Sequence, residues 1–266
     1  MSNFSTIAPA YERGAVVQRH AAARLFELVA IGPGDDVLDL GCGPGHLTRQ
    51  IRGMTAGRVS GLDVSPGMIT QARQSSPDLA VDFRVDAAEE IDEPECFDVV
   101  FCNSTFQWFR DPPRALANCR RALRRGGRLG VQAPAGRDYC PVFKRATAAL
   151  MADPGTADTY RRFRSPWFFL DTAEAYAELC RAAGLEVRFS SFEPTKERCA
   201  PAEVMRRFES GAAAGYLNPE YYRGGCATGY LEAARERIAA TIHSLAEADG
   251  LVALVFHRLY LLAVKP

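Results

Sequence analysis

Seven residues, Asp39-Leu40-Gly41-Cys42-Gly43-Pro44-Gly45, carry the densest chemical signal in the chain. Glycines that follow an apolar run accept positive φ and let a ligand approach the backbone closely. The helix that follows such a turn presents unpaired N–H groups to the same ligand. A dinucleotide loop reads G-x-G-x-x-G. Here the spacing is D-x-G-x-G-x-G, with His46 where the third glycine would fall, which argues against a pyrophosphate ligand. About twenty residues further on, Asp63 closes the run GLDVS. A carboxylate at that place accepts both hydroxyls of a ribose. The loop alone also suits an ordinary strand-to-helix turn. Asp63 in the same βαβ unit favours a nucleoside site.

These residues need rigid elements to hold them. Residues 16–30 have helical apolar spacing and are stopped by Pro33-Gly34. VLDLGCG (37–43) is a buried strand that breaks into the loop, and 45–53 is the next helix. The pattern repeats as strand 59–64, helix 67–74, strand 81–85, strand 97–103, helix 112–123 ended by Gly126-Gly127, and strand 127–133. The helix 172–184, the strand 185–192 and a last strand at 251–265 complete the series. The alternation predicts an α/β fold, a doubly wound Rossmann-like sheet of about seven strands. The sheet is expected to be mostly parallel. One domain, 1–266, is expected, with a core at about 16–136, 172–192 and 251–265. Helical insertions at about 137–171 and 195–250 are expected as a lid over the strands' carboxyl ends, where open α/β sheets bind ligands.

VLDLGCGPGHLT followed by GLDVSPGMI resembles the class I S-adenosylmethionine-dependent methyltransferases. The resemblance covers about 16–133, 172–192 and 251–265. It implies an antiparallel last strand, and S-adenosylmethionine as cofactor, leaving as S-adenosylhomocysteine. It further implies that Gly41, Gly43 and Gly45 line the methionine part, with Asp39 supporting the loop near the cationic amino end. Asp63 takes the ribose, Val64 joins the cofactor set, and Met68 packs on the adenine. As a plain core residue Met68 would serve equally. Asp86 can accept the adenine amine, and the adjacent Ala87 N–H can donate to a ring nitrogen; a helix cap is the alternative. Asn103, ending the fourth strand, faces the methyl group in this superfamily. The aromatics after it, Phe106 and Trp108 among them, suit a water-poor wall around a sulfonium or simply the core.

NSTFQWFRDPPRAL, the N-terminal IAPAYERGAVVQRHAAARLFELV and the ending VFHRLYLLAVK resemble a subgroup that methylates free carboxylates. It includes trans-aconitate methyltransferase and the malonyl-carrier-protein methyltransferase of biotin synthesis. A carboxylate is already ionised at neutral pH, so positioning rather than a general base would carry catalysis. Tyr11, His20 and Trp108 are the positioning candidates. An anionic acceptor calls for an Arg or Tyr clamp. Candidates to contact substrate are Phe106, Arg137, Tyr160, Arg164, Trp167 and Tyr216. Arg161, Arg162, Arg206, Arg207, Tyr221 and Tyr222 lie in the same stretches, where an exposed surface face is the plain alternative.

Composition narrows the partners. Lys plus Arg and Asp plus Glu both number 32, so no long-range pull toward nucleic acid is expected. No apolar run approaches the roughly eighteen residues of a membrane span. The first residues lack an apolar leader-like run, and a cytoplasmic protein is expected. The eight cysteines are scattered, without metal-ligand spacing, so no metal is expected. The resemblance implies a small-molecule or acyl-carrier-bound acid as partner. The same core also suits N-, C- or hydroxyl-directed methyl transfer, a regulatory module without turnover, or a nicotinamide oxidoreductase.

Overall fold

A computed structural model describes residues 16–266, with side chains from Ala22 onward. Helix α1 (Val16–Val29) precedes β1 (Val37–Leu40), α2 (His46–Arg52), β2 (Val59–Asp63), α3 (Pro66–Gln74), β3 (Asp82–Val85), β4 (Phe97–Asn103), α4 (Pro112–Ala122) and β5 (Leu123–Pro134). Helices α5 (Pro141–Ala152), α6 (Ala157–Tyr160) and α7 (Ala173–Ala182) follow, then β6 (Glu186–Cys199). The chain ends with α8 (Pro201–Glu209), α9 (Ala213–Tyr216), α10 (Tyr230–Ser244) and β7 (Val252–Val264).

The sheet order is β3-β2-β1-β4-β5-β7-β6. Strands β1 to β5 pair in parallel, and β7 runs antiparallel to β5 with Gln132 opposite Tyr260 and Pro134 opposite Arg258. All four residues of β1 are buried, as a strand covered on both faces requires. The chain moves outward from β1 to β3 and then returns to β4 on the other side. That reversal opens a crevice at the carboxyl ends of β1 and β4. Local chemistry sets the helix starts. Ser65, Asp111 and Thr172 each accept the N–H three residues on, capping α3, α4 and α7.

Two compact units divide the chain. The sheet unit holds residues 16–137, 168–193 and 258–266 of those described. Its core joins Leu40, Phe97, Val100, Leu129 and Val131 to Leu116 and Tyr176 of the covering helices. The second unit holds 138–167 and 194–257. There α10 packs on α5 and α8, around Phe143, Phe208, Tyr230 and Ile238.

Two element boundaries differ from expectation. Gly126-Gly127 does not separate α4 from the fifth strand, because β5 begins at Leu123. Leu123 pairs with Phe97 and Arg128 with Val99, so the glycines lie in a register shift between those two pairs. Such an irregularity needs positive φ, which Gly126 supplies at 75°. Strand β6 runs on to Cys199 instead of stopping at Phe192.

Candidate functional site

The loop between β1 and α2 is built by three left-handed glycines, with φ of 75° at Gly41, 54° at Gly43 and 80° at Gly45. Both Gly41 and Cys42 donate their N–H to the Leu62 carbonyl, which ties the loop to the end of β2. The three glycines have different reasons to be glycine. A Cβ on Gly41 would lie 2.0 Å from Thr105 Oγ1, and one on Gly45 2.9 Å from the Phe83 ring. A Cβ on Gly43 would meet nothing within 4 Å. Gly41 and Gly45 therefore serve close packing, while Gly43 faces open space.

Two carboxylates brace the loop. Asp39, one residue before the end of β1, is 2 % exposed and accepts the Thr48 hydroxyl at 2.6 Å. Burial pushes its carboxyl up to about 7, the Thr48 bond opposes this, and the nearby Asp63 charge adds to it. Asp63 is half-buried. Its Oδ2 accepts the Gly43 N–H at 2.9 Å and its Oδ1 the Ser65 N–H at 2.8 Å. Desolvation raises its pKa, and these two backbone bonds oppose the rise. A carboxylate offers about four acceptor positions, so two such bonds leave room for ligand hydroxyls.

The neighbouring strand ends complete the crevice. Asp86 donates its N–H to the Asp63 carbonyl at 3.1 Å. Val64 and Val85 are 55 % and 49 % exposed, an apolar rim beside the two acids. At the end of β4, Asn103 is 9 % exposed and Ser104 has a φ of 57°. Thr105 Oγ1 donates toward the carbonyls of Asn103 (3.1 Å) and Gly41 (3.3 Å), joining the two sides of the crevice.

Asp39, Gly41, Gly43, Gly45, Asp63, Val64, Asp86, Ala87 and Asn103 thus come together at the carboxyl ends of β1 to β4. For three of the candidates the contacts describe the alternative reading. The Ala87 N–H donates to the Asp86 carboxylate at 2.8 Å, at the start of a short 3₁₀ turn. Met68 is only 2 % exposed, placed inward by the first turn of α3. Phe106 is 2 % exposed and packs edge-on to Tyr176, with ring centroids 5.6 Å apart, so it belongs to the core and not to a substrate wall.

Of the remaining candidates, the sheet unit carries half-buried Trp108 and exposed Arg137, which faces Asp171 at 3.4 Å. The second unit gathers the others. Tyr160 stacks on Phe163, Trp167 meets Tyr216 edge-on at 4.9 Å, and Tyr216 itself is buried. Arg164 is exposed and donates to the Phe163 carbonyl at 2.8 Å. Arg207 on α8 is engaged by Glu197 of β6 and by Glu203, and Arg206 by Glu203. Tyr11 lies outside the described residues, as does the side chain of His20.

Two structural residues escaped the sequence reading. Thr48 was hidden in a short helix, although a lone Thr on its inward side was a signal. Gln132 is fully buried in an apolar run, and a polar residue inside such a strand is informative.

A glycine loop after the first strand and an acid after the second, on a doubly wound sheet, define a Rossmann-like nucleoside-binding protein. Residues 38–131 match the family described as "Methyltransferase domain". Trans-aconitate 2-methyltransferase of Methylobacterium nodulans is 31 % identical over 256 residues, covering 91 % of each chain. Malonyl-[acyl-carrier protein] O-methyltransferase of Serratia marcescens is 36 % identical over 127 residues. That match covers 47 % of this chain and 49 % of the relative, so the chain spans about half the length of such relatives. The fold is shared with a methyltransferase solved in complex with the Haloferax volcanii Trm112 activator. The TM-score is 0.63 at 18 % identity, covering 100 % and 99 % of the two chains. The chain belongs to the class I S-adenosylmethionine-dependent methyltransferases, enzymes whose cofactor is S-adenosylmethionine.

Proposed function

We propose that the protein transfers the methyl group of S-adenosylmethionine to a carboxylate oxygen of a small-molecule or carrier-borne acid. The observation that carries this reading is the similarity to the trans-aconitate enzyme, which extends over 91 % of both chains and so includes the second unit. The chemistry at the end of β4 agrees with it. Asn103, Ser104 and Gln132 are neutral hydrogen-bonding groups, and a carboxylate needs no base to become a nucleophile.

In this reading the open face of the loop at Gly43 and the nearby Asp39 border the methionine end, with Asp39 facing the cationic amine. Asp63 takes the ribose hydroxyls. Val64, Val85 and Asp86 border the base. An acceptor oxygen attacks the methyl carbon in line with sulfur; the C–S bond breaks with its electron pair on sulfur. An ester and S-adenosylhomocysteine result, and no proton changes hands. Holding the reactants within reach is the protein's contribution. No helix among the described residues is long and apolar enough to cross a membrane. All eight cysteines are free thiols, which supports a reducing, cytoplasmic setting.

The test is transfer of labelled methyl from S-adenosylmethionine to a panel of free acids and malonyl-carrier protein. The expected product loses its label in mild alkali, as an ester does. Label that survives alkali would place the methyl on nitrogen or carbon and overturn the carboxylate assignment.

A further inference from the structure

Gln132, near the carboxyl end of β5, is completely buried and pairs in register with Asn103 of β4. Its side-chain amide meets Asn103 and Ser104 on one side and Arg258 of β7 on the other. A guanidinium has donors only, whereas a glutamine amide has one donor end and one acceptor end. Arg258 therefore sets which way the amide lies. The Gln132 oxygen accepts from Arg258 Nη1 at 3.1 Å and from the Ala133 N–H at 3.1 Å. The Gln132 nitrogen donates to Asn103 Oδ1 at 2.9 Å and to Ser104 Oγ at 3.0 Å. With their oxygens accepting from Gln132, Asn103 keeps its two amide N–H donors, and Ser104 its hydroxyl hydrogen, for other partners.

The backbone here is strained and held so. Ser104 has a φ of 57°, a left-handed conformation unfavourable for any residue but glycine. Its N–H donates to the Gln132 carbonyl at 2.7 Å, and its own carbonyl accepts from Gln107 Nε2 at 2.8 Å. Strain fixed from both sides in this way points to a function. The place in the sheet gives one. Asp63 and Asp86 stand on the β2 and β3 side of β1, assigned to ribose and base, whereas Asn103 and Ser104 stand on the other side, at the end of β4. Thr105 ties that end to the Gly41 carbonyl of the glycine loop. An acceptor bearing an N–H or O–H would need an oxygen opposite it, so that its lone pair and not its hydrogen faces the methyl carbon. Donors suit a group without hydrogen. We propose that Gln132, oriented by Arg258, is a positioning residue that makes Asn103 and Ser104 donors toward one oxygen of the acceptor carboxylate, leaving a lone pair of its other oxygen for the methyl carbon. The first oxygen becomes the ester carbonyl and still accepts these bonds, so the donors act by orientation throughout the transfer. The same polarity disfavours an amine. This rests on the carboxylate reading of the proposed function.

The test measures transfer of labelled methyl to trans-aconitate, crotonate and malonyl-carrier protein by the full chain and three variants. Gln132→Glu can accept from Arg258 but has no donor. Asn103 and Ser104 must then donate inward and turn their oxygens to the acceptor. Gln132→Met bonds to none of its neighbours and leaves both residues free to turn. The kcat/KM for acids should fall about tenfold or more in Gln132→Glu, and less in Gln132→Met. A purely structural Gln132 predicts the reverse order, because Glu keeps all three side-chain partners. Ser104→Gly suits the left-handed backbone, removes one donor, adds no charge, and should also lose activity severalfold. Each variant should bind S-adenosylhomocysteine as the wild type does, and Ser104→Gly decides alone if a Gln132 variant does not. The proposal is overturned if Gln132→Met costs as much as Gln132→Glu or more, or if Ser104→Gly transfers methyl to acids as the wild type does. Either result leaves the carboxylate reading standing. A wild type that methylates none of the three overturns both.

Discussion

The Thr48 hydroxyl donates to Asp39 Oδ2 at 2.6 Å, and both side chains are buried. A carboxyl so placed is held at about 7 against an ordinary 3.8. The folded chain therefore favours the protonated acid more than the unfolded chain does. The stability associated with Asp39 is fully present below about pH 4 and is lost as pH rises through about 7. Urea titrations of the ligand-free protein and of Asp39→Asn should diverge over that window, the wild type losing a few kcal/mol relative to the variant. Parallel curves would show that Asp39 is ionised throughout. Thr48→Val, which removes the bond that lowers the pKa, should move the window upward.

Gly41 and Gly43 separate packing from ligand access. Gly41→Ala combines a φ of 75° with a Cβ 2.0 Å from Thr105. It should cost about 2 kcal/mol or more, seen as a lower Tm. Gly43→Ala meets nothing within 4 Å, so the loss should stay near about 1 kcal/mol of backbone strain. The methyl group would nonetheless project into the space assigned to the ligand. Calorimetry should find S-adenosylhomocysteine binding strongly weakened in Gly43→Ala; full affinity would remove this loop face from the cofactor site.

Asp63 bridges the Gly43 and Ser65 amides. Asp63→Ala should weaken cofactor binding by roughly 1–3 kcal/mol, the magnitude of lost hydrogen bonds to a charged group. Hydrogen exchange at Gly43 and Ser65 should accelerate in the same variant. An affinity equal to that of the wild type would contradict the ribose assignment.

Phe106 offers a choice between core and substrate wall. At 2 % exposure, beside Phe109 and Tyr176, it belongs to the core. Phe106→Ala should destabilise the chain by about 3–5 kcal/mol in urea unfolding. A variant of normal stability with a raised KM would return Phe106 to the substrate wall.

The sequence by itself determined the fold class, the strand succession and the glycine loop with Asp63. These are local properties: strand and helix periods, and glycines where φ must turn positive. It also brought the family into view, since the loop and GLDVS lie within a single βαβ unit. What only the tertiary structure decided depends on residues far apart in the chain. Gly41 is crowded by Thr105, and Asn103 is joined through Gln132 to Arg258. Phe106 turns inward because Tyr176, seventy positions later, closes over it. No periodicity encodes such meetings, because burial and partner choice are properties of the packed sheet rather than of any one segment.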